Sequence, residues 1–300
     1  MQPLPQLPGL DEVVERLPPF HKVMERCMAT MSKPYASARE ISTWIESDSA
    51  LSGKVLSLAN SSFYGQPNKV LRTERAVVLL GRRSLEDVFF SFYIQGLFSS
   101  QGGSEVAGLW SASLSAGICA KELTFALGLP SAEGDETPDA GAYLAGLLHD
   151  AGKLLVLTHY PEAYRAARAL QASRRLGETE AERSLWGFDH AELGRSMARK
   201  WALPEAVCEA IAVHHAEPGD GPPAVLAALL KLSDLLCAAL ECGLEAEAPA
   251  TVRRELDAAS RKLLGADEMR LALLPQVAAT VKEKMQVYDG LLDTGTWQVG

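Results

Sequence analysis

Three hundred residues exceed what one small core needs and predict two domains or one elongated one. The composition, 47% hydrophobic and 22% charged, is that of an ordinary folded chain, and no apolar run approaches the roughly 20 residues that a helix needs to cross a bilayer. A formal net charge of −9 repels phosphate backbones, and no block of Lys or Arg offsets it, which argues against nucleic acid as a partner.

Prolines at 3, 5 and 8 predict an extended lead-in over residues 1–14, with neither a positive n-region nor a continuous apolar stretch to export the chain. Pro18-Pro19 interrupts again before His21. Ser37-Ala-Arg-Glu40 has the form of a capping box, and Ile41, Trp44 and Ile45 follow on one helical face. Asp48 or Ser49 can cap the next helix, whose stripe of Leu51, Val55 and Leu58 runs into Asn60 and a turn at Phe63-Tyr64-Gly65. Thr73 opens a third helix through Leu80, with Gly81 placed as a left-handed C-cap. Ser84 and Asp87 can cap a fourth, carrying Val88 to Ile94. The aromatic side chains Phe63, Tyr64, Phe89, Phe90, Phe92 and Tyr93 have two readings, core or docking face, and helical spacing favours core.

Gln101-Gly-Gly-Ser104 is the clearest break and separates a helical subdomain at 15–102 from a second at 103–245. Leu109 to Leu127 reads as one helix closed by Gly128 and Pro130; residues 131–139 form an acidic loop. The apolar helix 140–150 then ends abruptly in His149-Asp150, followed by Gly152 and Lys153. Pro161 starts a helix that Gly177 ends, Thr179 to Leu185 is helical, and Asp189 caps a helix from His190 to Trp201. After Leu203-Pro204 comes a helix ending at His214-His215, then a loop at Gly219–Pro223 and an apolar helix from Val225 to Leu240 interrupted by Lys231 and Asp234. Residues 246–300 form a helical extension expected to pack on the core. No sustained period-two segment occurs, so the predicted fold class is all-α. Cys27, Cys119, Cys208, Cys237 and Cys242 form no Cys-x-x-Cys pair, which favours reduced core thiols in a cytoplasmic protein over disulfides or a thiolate zinc site.

The residues that can carry chemistry are His149, Asp150, His190, His214, His215 and Asp234. Each has a bland reading: a hydrogen-bonded helix end, a neighbour of an N-cap, or a pair favoured by the helix dipole. Asp234 is the hardest to dismiss, since a carboxylate between Leu232 and Leu235 costs several kcal/mol, roughly, if buried without a cation or donor.

His-Asp, a later Asp-His-Ala-Glu-Leu-Gly, a His-His after Leu-Pro, and Lys-Leu-Ser-Asp-Leu-Leu resemble, in that order, the HD phosphohydrolase superfamily. More closely, Asp48 to Gly65, Ala76 to Gly81, Trp110, Gly187-Phe-Asp-His190 and Trp201-Ala-Leu-Pro204 resemble the HD-related output domain, HDOD, over about residues 15 to 240. The resemblance implies an N-terminal helical bundle joined to an HD-like helical core, and a site for iron, manganese or zinc. His149, Asp150 and Asp234 would hold a first ion, and His190, His214 and His215 would serve a second or a distorted site. Lys153 matches a lysine that sits beside phosphate in related cyclic-dinucleotide phosphodiesterases. The family's first metal histidine falls at Ala112, and Leu109 to Leu127 contains no histidine. That departure points away from catalysis and towards a bacterial signal-transduction module that uses a degenerate site to bind a ligand or partner. The alternative is a metal-dependent phosphohydrolase acting on a nucleotide or cyclic dinucleotide. No receiver, kinase or GGDEF-like segment is expected in the chain, so input comes through a separate signalling protein, a small ligand or self-association as a homo-oligomer.

Overall fold

Local capping chemistry sets the helix starts. The computed structural model describes residues 7–17, 33, 35–98, 103–129, 139–216, 222–241, 254, 258 and 271–292. Among them every regular element is helical, and the protein is all-α. The readings at Pro18-Pro19, His21, Cys27, the 131–138 part of the acidic loop, Cys242, Val252, Leu256 and Leu263 lie outside the described residues, as do Gln101-Gly102 and residues 217–221.

The chain separates into two compact units, Met1–Leu17 with Gln101–Val281, and Pro18–Ser100 with Lys282–Gly300. In the smaller unit, Ser37 and Glu40 close the expected capping box on α2 (Ala38–Glu46). Asp48 accepts the Leu51 N–H to start α3 (Ser49–Ala59). Asn60 then uses its whole amide: Nδ2 donates to the Leu56 and Val70 carbonyls and Oδ1 accepts the Val70 N–H, fixing the turn that holds the 3-10 segment Ser62–Tyr64. The next two expected helices run together as Thr73–Phe98, broken only at Gly81, whose φ of 72° and ψ of 165° suit a residue without Cβ. We number this kinked element α4. Phe89, Phe90, Phe92 and Tyr93 are all buried, so the core reading holds for them, while Phe63 remains 41% exposed.

The larger unit starts with a correction. Residues 10–14, expected within an extended lead-in, belong to a short helix α1 (Leu10–Glu15) that buries Val13. Lys200 saturates its ammonium on the carbonyls of Val14, Glu15 and Leu17, satisfying groups the helix end leaves open. The body of the unit is α5 (Ser104–Leu127), α6 (Asp139–Leu148), α7 (Ala151–His159), α8 (Pro161–Arg174), α9 (Glu178–Trp186), α10 (His190–Lys200), α11 (Glu205–Val213) and α12 (Pro222–Glu241). A last helix, α13 (Leu274–Leu292), is divided between the units at Val281.

Two helix ends differ from expectation. α6 stops at Leu148, leaving His149 and Asp150 as the turn into α7. α8 stops at Arg174, with Arg175 itself left-handed at φ 54° and Leu176 N–H closing back on the Gln171 carbonyl, so Gly177 is free to start α9 instead of ending α8. α5 and α6 cross where a Cβ on Gly146 would stand 2.6 Å from Gly117 Cα, a closeness only glycine allows.

Candidate metal centre

The tight turn from α6 to α7 is the foundation of the site. The Asp150 carbonyl accepts the Lys153 and Leu154 N–H groups, starting α7 at once and holding both the His149 and Asp150 side chains inside the unit. α7 then lies on the start of α10: a Cβ at Gly152 would fall 2.2 Å from the His190 carbonyl oxygen. Asp189 caps α10 in a box with Glu192 and pairs with Arg183 at 2.5 Å. The result is His190, 0% exposed, beside Asp150. α11 ends by delivering His214 and His215, and α12 brings Asp234.

Asp150, His190, His214 and His215 each offer one ligand atom, all within 4.8 Å of one another. His190 Nε2 stands 2.9 Å from His215 Nε2, 3.4 Å from His214 Nε2 and 3.4 Å from Asp150 Oδ1. The other ring nitrogens of His149, His190 and His214 are tied down. Nδ1 of His149 donates to the Gly146 carbonyl and Nδ1 of His214 to the Ile211 carbonyl, each at 2.7 Å. A carbonyl can only accept, so a proton lies on Nδ1 of each, and in the neutral His214 this leaves the lone pair on Nε2. His190 Nδ1 meets Glu182 Oε2 at 2.6 Å, and the same oxygen accepts the His190 backbone N–H at 3.0 Å. Imidazoles oriented this way by a carboxylate or carbonyl behind them present metal-ready nitrogens.

Ring nitrogens facing each other at 2.9–3.4 Å repel unless a proton or a cation lies between them. Asp150 Oδ1 points the same way and accepts no hydrogen bond although it is shielded from water. Lys153 Nζ lies 3.0 Å from it but directs its hydrogen bond to Oδ2. Three imidazole nitrogens, one orphaned carboxylate oxygen and bonds of about 2.0–2.2 Å fit a divalent transition metal, so the cluster could hold one.

His149 and Asp234 form a separate pair, Nε2 to Oδ1 at 3.1 Å, with Asp150 Oδ2 at 3.5 Å from the same nitrogen. The grouping expected from the resemblance, His149 with Asp150 and Asp234, is therefore only half of the arrangement. The Asp150 carboxylate stands between the two sets and gives its Oδ1 to the histidine cluster. Ala112 lies on α5, which supplies no histidine to the site.

Electrostatics divide the histidines in the same way. Burial works against the His149 cation, but Asp150 and Asp234 outweigh it and lift the group to about 9. Burial, with the neighbouring Lys153 charge, holds His190 well below its ordinary value. Burial and the His149 charge take His214 down to about 3. His215 is lowered for related reasons, although its side chain reaches the surface and opens the cluster to solvent. Asp150 is driven well below the carboxylate range: burial opposes its charge, and His149, Lys153, His190 and His214 overcome that. Burial raises Glu182 to about 8, against the His190 backbone N–H that favours its charged form.

Two carboxylates escaped the sequence reading. Glu182, 3% exposed, supports His190, and Glu178 pairs with the buried Lys153 at 2.8 Å. The available signal was Glu182 sharing the buried face of α9 with Ala181 and Trp186.

The HDOD domain profile matches residues 17–217. The chain belongs to the HDOD family. Asp234 lies beyond the matched stretch of the HDOD domain, so the His149–Asp234 pair joins a residue inside it to one outside. The chain is similar to an uncharacterized protein of Treponema pallidum, 29% identical over 205 residues, which are 68% of this chain and 39% of that protein's length. Among solved structures, an HDOD domain protein of unknown function from Geobacter sulfurreducens is 25% identical with a TM-score of 0.70, over 91% of this chain and 97% of that one. A protein of Shewanella amazonensis, provisionally named a phosphohydrolase, reaches a TM-score of 0.72 at 22% identity, over 94% and 97% of the two chains. A protein of Marinobacter aquaeolei, provisionally named a signal transduction protein, reaches 0.70 at 24% identity, over 97% of this chain and 63% of that one. These last two share the fold of this chain. Among the described residues no helix is long and apolar enough to cross a membrane.

Proposed function

We propose that this HDOD protein is a non-catalytic regulatory module of cytoplasmic bacterial signal transduction, in which the Asp150–His190–His214–His215 cluster holds iron, manganese or zinc and the surrounding surface receives a small ligand or a signalling partner. The observation that carries this reading is a contrast within the site. Four ligand atoms converge within 4.8 Å of one another, yet Lys153, the lysine expected beside phosphate, is already engaged by Asp150 and Glu178. A bound divalent ion would lower the pKa of a coordinated water towards neutrality. Hydrolysis would also need a free cation for the phosphoryl oxygens, and Lys153 is occupied. The names given to the Marinobacter and Shewanella neighbours span the same two readings, signalling and phosphohydrolysis.

The test uses the full chain purified without oxygen. Elemental analysis should return close to stoichiometric metal for the wild type and a large loss for Asp150→Asn. Neither a cyclic dinucleotide nor a generic phosphodiester should turn over faster with the wild type than with Asp150→Asn. Metal-dependent turnover that disappears in Asp150→Asn would overturn the regulatory reading in favour of a phosphohydrolase.

A further inference from the structure

The smaller unit has an open groove of about 1020 Å³, walled by Leu56 on α3, Phe63 in the turn that follows, and Glu283, Gln286 and Val287 on α13. Its remaining wall is a short stretch of chain, Lys69 to Leu71. One side chain takes both main-chain groups of Val70: Asn60 Nδ2 donates to the carbonyl at 2.8 Å, and Oδ1 accepts the N–H at 2.7 Å. A neighbouring strand would hold Val70 in the same way, and in an extended chain the main-chain groups of the flanking residues then face the opposite edge. Those of Lys69 and Leu71 have no hydrogen-bond partner among the described residues. Val70 is 1% exposed and Leu71 74%, the alternation of a strand with a partner on one edge only.

Charge selects what fills such a groove. The stretch from Lys69 to Arg75 carries Lys69, Arg72 and Arg75 against Glu74 alone, on a chain of net −9, and Lys284 Nζ lies 5.5 Å from the centre of the Phe63 ring. Arg72 pairs with Glu74 at 3.3 Å, which leaves Lys69 and Arg75 exposed and without an ion-pair partner among the described residues. A free main-chain edge, an apolar floor and a local excess of positive charge match one kind of occupant: a peptide in extended form, whose backbone supplies affinity and whose alternate side chains supply specificity. Single-stranded nucleic acid fits less well, because it needs a series of aromatic platforms, whereas this groove offers Phe63 alone and sets the Glu283 carboxylate in its wall.

We propose that the groove docks an extended acidic segment of a partner protein, which adds a strand to the free edge of Lys69–Leu71, sets apolar side chains against Leu56, Phe63 and Val287, and brings its carboxylates to Lys69 and Arg75. This adds a protein contact on the smaller unit to the regulatory reading, and it stands whether or not the histidine cluster binds metal.

The test selects a displayed library of random peptides on the immobilised full chain, then titrates the recovered peptides, fluorescently labelled, by anisotropy. The expected sequences alternate apolar and acidic residues. Gly53 also lines the groove, and a Cβ there meets nothing within 4 Å, so Gly53→Leu obstructs the groove without a clash and should abolish binding. Lys69→Glu should weaken it by about ten-fold, with Lys69→Arg close to wild type. N-methylation of alternate peptide nitrogens should abolish binding in one register and spare it in the other, a pattern that side-chain contacts alone would not produce. Recovery of no peptide or of peptides without acidic residues, unchanged affinity in Gly53→Leu, or indifference to N-methylation in both registers would each overturn the proposal. So would an oligothymidylate that binds more tightly than any recovered peptide, or a wild type that dimerises in analytical ultracentrifugation while Gly53→Leu stays monomeric, which would assign the groove to a second copy. Should Gly53→Leu not fold, Leu71→Asp, at an exposed side chain, is expected to weaken the acidic peptides by about ten-fold, and unchanged affinity there would refute the docking. Asp150→Asn should bind the peptides as the wild type does, so that docking and metal binding fail separately; loss of binding in that variant would overturn the assignment to this groove.

Discussion

The two units bury opposite kinds of chemistry. The smaller one encloses an aromatic core, Phe89, Phe90, Phe92 and Tyr93, with a single lysine, Lys54, laid 4.2 Å over the Phe92 ring and its Nζ without a hydrogen-bond acceptor. The larger one places His149, Lys153, Glu182, His190 and His214 inside, each with an oppositely charged or hydrogen-bonding partner. Apolar packing tolerates any state of charge and depends on shape, whereas a buried polar cluster is stable only while its protons, charges and any ion stay balanced. The smaller unit should therefore answer to changes of volume and the larger one to changes of charge.

The strongest way to break that comparison is a cavity. Phe92→Ala should cost about 3–5 kcal/mol in denaturant unfolding followed through the smaller unit, and leave metal content unchanged. If metal is lost as well, the two kinds of core are not separable. Gly152→Ala should destabilise the larger unit by about 1–3 kcal/mol, because the added Cβ runs into the His190 backbone oxygen, which cannot move aside as a side chain would. Here metal should be lost together with stability, and retention of both would show that α7 can shift away from α10 without cost.

Glu182→Gln sharpens the comparison further, since it keeps volume and removes the ionisable group. With the acceptor behind His190 Nδ1 weakened, metal affinity should fall by about 10–100-fold in a chelator competition, while the melting of the smaller unit stays the same. Unchanged affinity would mean that His190 is not a ligand. The smallest effect is the response to pH in metal-free protein. His190 and His214 stay neutral in the fold, whereas the same groups in the unfolded chain take up protons near 6.5. Between pH 7 and 5 the unfolded chain therefore binds more protons, and each group lowers stability by on the order of 1 kcal/mol per pH unit. Glu182, raised to about 8, acts the other way, because it keeps a proton in the fold that the unfolded chain releases above its ordinary value of 4.5. His215, also lowered, adds to the loss, and His149, raised to about 9, acts with Glu182 against it; three lowered imidazoles against two raised groups leave a net loss on acidification, confined to the larger unit, which contains every described histidine. Stability that rises towards pH 5 would contradict the assignment of neutral, inward-facing rings.

Several elements were legible because their causes are local. Ser37, Asp48 and Asp189 each accept an N–H within three residues of themselves, and that spacing is written in the chain. The left-handed ends at Gly128 and Gly187 are likewise read from one residue, while Arg175 shows the limit, since nothing nearby announces that a non-glycine will take that conformation. The α6–α7 turn was half legible: an apolar run ending in His149-Asp150 marks a helix end, but the immediate restart of α7 depends on Asp150 facing inward.

The sequence by itself determined that the chain is helical, where most helices begin, and that histidines and aspartates stand at the ends of apolar segments. Only the tertiary structure decided how they group. Asp150 turns to His190, His214 and His215, His149 turns to Asp234, and Glu182 and Glu178 enter from a helix that carries no motif. Periodicity and capping act within a turn or two of helix, so they leave a mark in the sequence. The direction of a buried carboxylate is set by helix crossings and by the charges those crossings bring together, some of them 25 residues apart, as with Lys153 and Glu178.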